Sequence, residues 1–85
     1  MKFLYFSAPW CGPCKVLGPI MNRVAEKHEV EKIIVDTDPD SAIKYGVRGI
    51  PTVVLVDENG EVLARTSGVK QEEYFYEMIE EATKQ

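Results

Sequence analysis

The chain has 85 residues, which suffices for one small core and predicts a single domain over residues 1–85. Apolar residues make up 45% and charged residues 28%, as in soluble globular proteins, and no apolar run is long enough to cross a bilayer. The net charge of −4 comes without a cluster of lysine and arginine, which argues against nucleic-acid binding. We therefore expect a soluble domain that binds neither nucleic acid nor membrane.

The first half of the chain predicts strand, helix, strand and a short helix. An apolar and aromatic run over residues 2–8 ends at Pro9 and is typical of a buried strand. Residues 13–28 carry apolar side chains at helical spacing, with Pro19 inside the helix. A second short strand is predicted over residues 32–36. The next helix is bracketed by three signals, namely Asp38 as N-cap, Pro39 at the first position and Gly46 after the last.

The second half predicts a hairpin and a final helix. A continuous branched run over residues 52–56 and an alternating run over residues 61–66 flank Asn59-Gly60, a strong hairpin turn. The helix is predicted over residues 70–83. Its buried face comprises Phe75, Met78, Ile79 and Ala82, with Tyr74 flanking it and Tyr76 more exposed to water.

The chain's two cysteines, Cys11 and Cys14, lie two residues apart in the segment WCGPC, between the first strand and the first helix. A disulfide that closes so small a loop stabilises a fold by only about 2 kcal/mol. We therefore interpret the pair as a reactive disulfide rather than a structural one. A structural zinc site needs four ligands, and His28 is the only other soft donor, so we expect no metal. Cysteines that are merely packed in a core remain an alternative, although the intervening Gly12-Pro13 favours a turn.

The segment Met1–Phe6 starts like a signal peptide but continues into the cysteine motif without a small-residue cleavage site. We therefore expect a cytoplasmic protein.

With WCGPC followed downstream by Gly49-Ile50-Pro51-Thr52, the chain resembles the thioredoxin family over nearly its whole length. The resemblance implies an α/β thioredoxin fold: a four-stranded mixed sheet, made of a parallel βαβ unit and an antiparallel hairpin, with helices on both faces. The chain lacks the leading strand and helix of that family and is closer to a glutaredoxin in length. The strand of residues 32–36 then becomes an open edge, whose end charges Lys32 and Asp36 should discourage pairing, so we expect a monomer.

A thiol at the N-terminus of a helix is favoured as thiolate, because unpaired N–H groups and the helix dipole stabilise an anion. That effect can lower a thiol pKa from near 8.5 towards 7. We therefore predict that Cys11 is the nucleophile and that Cys14, one turn further in and more buried, resolves the mixed disulfide. Gly12 and Pro13, which lie between the cysteines, are expected to tune the reduction potential. In the family, this CGPC pairing accompanies a reductant.

The resemblance also implies a substrate-binding surface around Cys11. Pro51 matches the family's cis-proline, which faces the disulfide and leaves the backbone of Ile50 free to pair with an extended substrate. Trp10, Gly12 and Ile50 would form a mildly apolar patch with Gly68 and Val69. Simpler readings are a packing role for Trp10, a loop role for Gly68 and an ordinary trans proline at the start of a strand.

The chain departs from the family at one position. Thioredoxins usually carry a buried aspartate six residues before the first cysteine, and this chain has Tyr5 there. A tyrosine, with an ordinary pKa near 10, is no base at neutral pH. Lys32 matches the lysine that pairs with that aspartate. Proton transfer at Cys14 would then use water, Lys32 or the Cys11 thiolate, and we expect catalysis to be slower or to have a different pH profile.

Three functions follow from the resemblance. The first is a protein-disulfide reductase with no bound cofactor, supplied with electrons from NADPH through thioredoxin reductase or a similar flavoprotein, and acting on disulfides such as those of ribonucleotide reductase or peroxide-scavenging enzymes. The second is a glutaredoxin-like enzyme that uses glutathione, suggested by length but opposed by WCGPC and GIPT. The third is a binding module whose surface docks onto a larger enzyme and whose cysteines are incidental.

Overall fold

The computed structural model describes residues 1–84 and contains four strands and three helices. In chain order they are β1 (Lys2–Ser7), α1 (Gly12–Val24), β2 (Val30–Ile34), α2 (Pro39–Lys44), β3 (Thr52–Val56), β4 (Val62–Ser67) and α3 (Glu72–Thr83).

The strands form one mixed sheet in the order β2-β1-β3-β4. β1 and β2 pair in parallel because α1 returns the chain to the end of the sheet where β1 began. β3 pairs antiparallel with both β1 and β4. The β3–β4 turn is held by the Asp57 carboxylate, which accepts the backbone N–H groups of Asn59 and Glu61, while Gly60 supplies a φ of +82°. The predicted parallel pair and hairpin are confirmed.

Helices cover both faces of the sheet, as expected. Strand side chains alternate between faces, so odd-numbered β1 residues such as Phe3 and Tyr5 meet α1 and α3, and even-numbered ones such as Leu4 and Phe6 meet the α2 side. On the first face Phe75 of α3 packs edge-on against Phe3, with ring centroids 5.8 Å apart. The first face holds the larger core because it carries two helices.

Several predicted boundaries are wrong by two to four residues. β2 begins at Val30 and ends at Ile34, because the strand follows its register with β1 rather than the local apolar run. α1 ends at Val24, and the next residues form turns in which the His28 N–H donates to the Val24 carbonyl. α3 begins at Glu72 rather than at residue 70.

Tyr76 is less exposed than Tyr74, contrary to the prediction. Its ring lies 5.6 Å from that of His28, and its hydroxyl donates to Glu72, which also accepts from Arg23 Nε at 2.9 Å. This network joins α1 to α3. The hydrogen bond to the Glu72 carboxylate raises the pKa of Tyr76 to about 12. The hydrogen bonds that Glu72 accepts, first from Tyr76 and then from Arg23, lower the pKa of Glu72.

We expect Tyr76→Phe to lower the free energy of unfolding at mid-range pH, with a smaller loss at both extremes. Because the folded-state pKa of Tyr76 is raised, its contribution is complete below pH 10 and is lost as the pH rises towards 12. Because the pKa of Glu72 is lowered, its contribution is present above the ordinary value of 4.5 and is lost as the pH falls. Urea unfolding of both proteins from pH 3 to pH 11 measures this. Tyr74→Phe is the matched control, and a loss from Tyr76→Phe that is equal at every pH would contradict the assignment.

β2 is an edge strand, as predicted, but its charges are placed differently. Glu31 and Lys32 are exposed in the middle of β2, and Lys2 Nζ donates to Glu31 at 2.7 Å, whereas Asp36 lies beyond the strand. Charges in the middle of an edge strand oppose pairing with a second strand more strongly than charges at its ends.

We therefore expect sedimentation of concentrated protein to give a monomer. The double variant Glu31→Val/Lys32→Val should associate as its concentration rises, because it leaves an uncharged apolar edge. A wild-type dimer that this double substitution leaves unchanged would show that association uses another surface.

Between residues 1 and 84, no helix has the length and apolarity needed to cross a membrane. The same part of the chain has no group of three or more histidine, cysteine or acidic side chains arranged to hold a metal ion.

Candidate active site

The two cysteines lie where β1 ends and α1 begins. The chain turns after β1, with the Cys11 N–H donating to the Ala8 carbonyl at 3.2 Å, and Cys11 is the extended N-cap residue of α1. Pro13 occupies the first turn of the helix, where its missing N–H costs nothing. A strand that ends beside a helix start therefore holds the first cysteine at the helix N-terminus.

Cys11 and Cys14 form a disulfide, with their Cα atoms 5.3 Å apart. The Cys14 N–H also donates to Cys11 Sγ at 3.2 Å, so this sulfur occupies the position of a capping acceptor. When the pair is reduced, the same N–H and the helix dipole favour a thiolate at Cys11. The prediction that Cys14 is more buried than Cys11 is wrong for the disulfide form, because each residue is 4% exposed.

The segment before β3 lies next to the cysteines. The Ile50–Pro51 bond is cis, as the family resemblance implied, and Ile50 packs against the cluster that contains Cys11 and Cys14. The Pro51 carbonyl accepts the Gly68 N–H at 3.0 Å, and the Thr52 hydroxyl donates to the Gly49 carbonyl at 2.6 Å. The first bond ties the start of β3 to the end of β4, and the second fixes the turn that enters β3.

Gly68 has a φ of +83°, a conformation that glycine adopts without strain. A glycine at this position therefore allows the backbone to form the hydrogen bond to Pro51. Val69 follows it and is partly exposed. Gly12 is also exposed, and a Cβ built on it would meet no atom within 4 Å. The space above the first turn of α1 is therefore open to a substrate.

Trp10 is 68% exposed, so a packing role does not account for it. Its indole N–H donates to the Asp36 carboxylate, at 3.0 Å from Oδ2 and 3.1 Å from Oδ1. Asp36 follows β2, and the carboxyl ends of the parallel β1 and β2 meet at the same edge of the sheet. The interaction orients the indole beside the disulfide.

Tyr5 lies directly beneath the first turn of α1. It is 2% exposed in the core on the α1 and α3 face, and its hydroxyl donates to the Cys14 carbonyl at 3.0 Å. The buried hydroxyl group of Tyr5 thus has a hydrogen-bond partner, which is the backbone of the second cysteine. Lys32 is opposite Tyr5 in the β1–β2 register but is exposed, and no ion pair or hydrogen bond of its side chain is found within residues 1–84.

Sequence reasoning missed two residues at this edge of the sheet. Asp36 holds Trp10, and Arg48 lines a cleft of about 360 Å³ together with Trp10 and Ile50. The signal for Asp36 was its position at the end of a strand parallel to β1. The signal for Arg48 was its position just before the segment that faces the cysteines.

Comparisons with known proteins agree with this geometry. The thioredoxin family model matches residues 2–81. Among curated proteins, thioredoxin of Bacillus subtilis is 41% identical over 78 residues, which is 87% of this chain and 74% of that protein. The mitochondrial thioredoxin of Mus musculus is 42% identical over 72 residues, covering 80% of this chain and 43% of that protein.

Solved structures give the same result. A mutant thioredoxin from Halobacterium salinarum superposes with a TM-score of 0.87 and 38% identity, over 99% of this chain and 75% of that one. Fasciola hepatica thioredoxin gives 0.85 and 32% identity, over 96% of this chain and 80% of that one.

Proposed function

Since the chain belongs to the thioredoxin family and is a thiol–disulfide oxidoreductase, we propose that it reduces protein disulfides with Cys11 as nucleophile and Cys14 as resolving thiol. The observation that carries this assignment is the hydrogen bond from the Cys14 N–H to Cys11 Sγ at the N-terminus of α1. The N-terminus of the helix stabilises negative charge at that sulfur.

Reduction of a substrate proceeds by two exchanges. The Cys11 thiolate attacks one sulfur of the substrate disulfide, forms a mixed disulfide and releases the other substrate sulfur as a thiolate, which takes a proton. Cys14 loses its proton and attacks Cys11 Sγ, which forms the Cys11–Cys14 disulfide and releases the second substrate sulfur. The substrate gains two electrons and two protons; the protein loses two electrons and the Cys14 proton, and the second proton comes from the solvent, which took it when Cys11 ionised.

The surface around Cys11 supports an extended polypeptide as substrate. Gly12 leaves open space above the disulfide, and Trp10 and Ile50 offer apolar contacts beside it. The backbone of Ile50 is the proposed pairing site for the substrate, and Gly68 holds the adjoining Pro51 in place. Val69 extends this surface with a partly exposed apolar side chain.

The source of electrons is the second part of the proposal. The oxidised pair is restored by a dithiol supplied through thioredoxin reductase or a similar flavoprotein, and ultimately by NADPH. WCGPC supports this donor over glutathione, because it is the motif that accompanies reductants in the family. The proposed site of action is the cytoplasm, where thiols are kept reduced.

The equilibrium reduction potential of the Cys11/Cys14 pair tests this role. Protein equilibrated in defined thiol buffers and then alkylated gives the reduced fraction by mass, and about 30 mV corresponds to a tenfold change in the equilibrium constant. We expect a potential well below that of glutathione, near the value of about −270 mV that thioredoxin has. A potential at or above that of glutathione would instead indicate a glutathione-coupled or oxidising role.

A further inference from the structure

The cleft beside the disulfide is apolar except for one charged side chain. Trp10 and Ile50 line it on the side of the cysteines, and the remaining lining residues are Val35, Ala42, Val47, Arg48 and Gly49. Val35 and Ile50 also pack against the cluster of buried residues that contains Cys11 and Cys14. The cleft therefore lies within reach of a polypeptide that presents a disulfide to Cys11.

The guanidinium of Arg48 is free, whereas those of the other two arginines are engaged. Arg23 pairs with Glu72 at 2.9 Å, and Arg65 donates to the Tyr45 carbonyl. Arg48 is exposed and forms no ion pair or side-chain hydrogen bond with any residue between 1 and 84. The Asp36 carboxylate accepts the Trp10 indole N–H and forms no ion pair with Arg48. The cleft thus carries an arginine that has no ion-pair partner among residues 1–84, in a protein whose net charge is −4.

We propose that Arg48 makes the enzyme prefer disulfides whose flanking segment places an apolar side chain in this cleft and a carboxylate beside it. The inference rests on the proposed function, because it assumes that reduction occurs at Cys11. The planar guanidinium can bind a carboxylate through two parallel N–H bonds, which a lysine cannot reproduce. The apolar wall excludes water from one side of that pair, so the interaction is screened less than in open solvent.

The test uses two disulfide-containing peptides with the same apolar residues. In one, the residues flanking the cysteine are Asp and Glu, and in the other they are Lys. Prereduced protein is mixed with each peptide in a single turnover, and the second-order rate is divided by the rate of the same peptide with dithiothreitol. This division removes the effect of the flanking charges on the reactivity of the disulfide itself.

We expect the normalised rate to be up to about fivefold higher for the acidic peptide, the size of effect that an exposed ion pair produces. Arg48→Gln should bring the two rates together, Arg48→Glu should reverse the preference, and Arg48→Lys should keep only part of it. The wild-type preference should shrink in 1 M salt. Lys44→Glu is the matched control, because it changes the net charge equally, lies on α2 near the cleft but does not line it, and should keep the wild-type ratio.

Two results would overturn the inference. One is a wild-type protein that shows no preference for the acidic peptide after normalisation, and the other is an Arg48→Glu variant with the wild-type ratio. Failure of the proposed function looks different, because neither peptide would then be reduced. The reduction potential of Arg48→Glu should equal that of the wild type, which separates substrate selection from a change in the cysteine pair.

Discussion

Cys11→Ser is expected to lower the second-order rate of protein-disulfide reduction at least about a thousandfold, because a serine hydroxyl is not ionised at neutral pH and cannot form the mixed disulfide. Cys14→Ser should behave differently. It keeps the nucleophile at the helix N-terminus and so completes the first exchange, but no thiol is left to resolve the product. The variant should accumulate a covalent complex with substrate, whose mass equals the sum of the two chains.

The two serine variants serve as controls for each other. Each removes the disulfide and leaves the capping position at the start of α1, so their folds and stabilities should be similar, and only one should trap substrate. Trapping by Cys11→Ser instead would assign the nucleophile to Cys14. A function that survives replacement of both cysteines would identify a docking module, the alternative in which the cysteines are incidental.

The secondary structure could be predicted where a local signal decides it. The bounds of β3 agree with the predicted run of residues 52–56, and Asp38 caps α2 with Pro39 at its first position, as expected. β2 could not be placed as well, because its bounds depend on pairing with β1, which no local pattern encodes. Tyr76 was misplaced for a similar reason. Its ring contacts His28, which lies in the turns after α1, and the helical periodicity of α3 does not describe contacts with another part of the chain.

The chemistry of the site was more predictable than its surroundings. The position of Cys11 at the start of α1 follows from the order of strand, motif and helix, and the structure adds the N–H that caps its sulfur. The cis bond before Pro51 was expected only from the family resemblance, because an ordinary X-Pro bond is cis in about 5 to 6% of cases. Asp36 and Arg48 were missed because each enters the site through a neighbouring element rather than through the cysteine motif.

Tyr5→Asp is expected to destabilise the protein by several kcal/mol at neutral pH, because it places a carboxylate in the apolar core beneath α1 without a cation beside it. Burial raises the pKa of such a carboxyl above its unfolded value near 3.9, so the penalty should grow as the pH rises through that value. Tyr5→Phe keeps the ring and removes only the bond to the Cys14 carbonyl. It should cost about 0.5–1.5 kcal/mol, and because it introduces no carboxyl group it should not show the pH dependence expected of Tyr5→Asp.

The same variants test how Cys14 loses its proton. In the wild type the side chain beneath the second cysteine is a tyrosine that donates to its carbonyl, so position 5 offers the resolving step no carboxylate to accept the proton. An introduced carboxylate at position 5 should add an ionisation to the pH profile of that step, whereas Tyr5→Asn, of similar shape but uncharged, should not. Single-turnover rates of mixed-disulfide resolution from pH 5 to pH 9 measure this. If Tyr5→Asp and Tyr5→Asn gave the same profile as the wild type, the proton of Cys14 would leave by a route that the residue beneath α1 does not control, such as direct transfer to water.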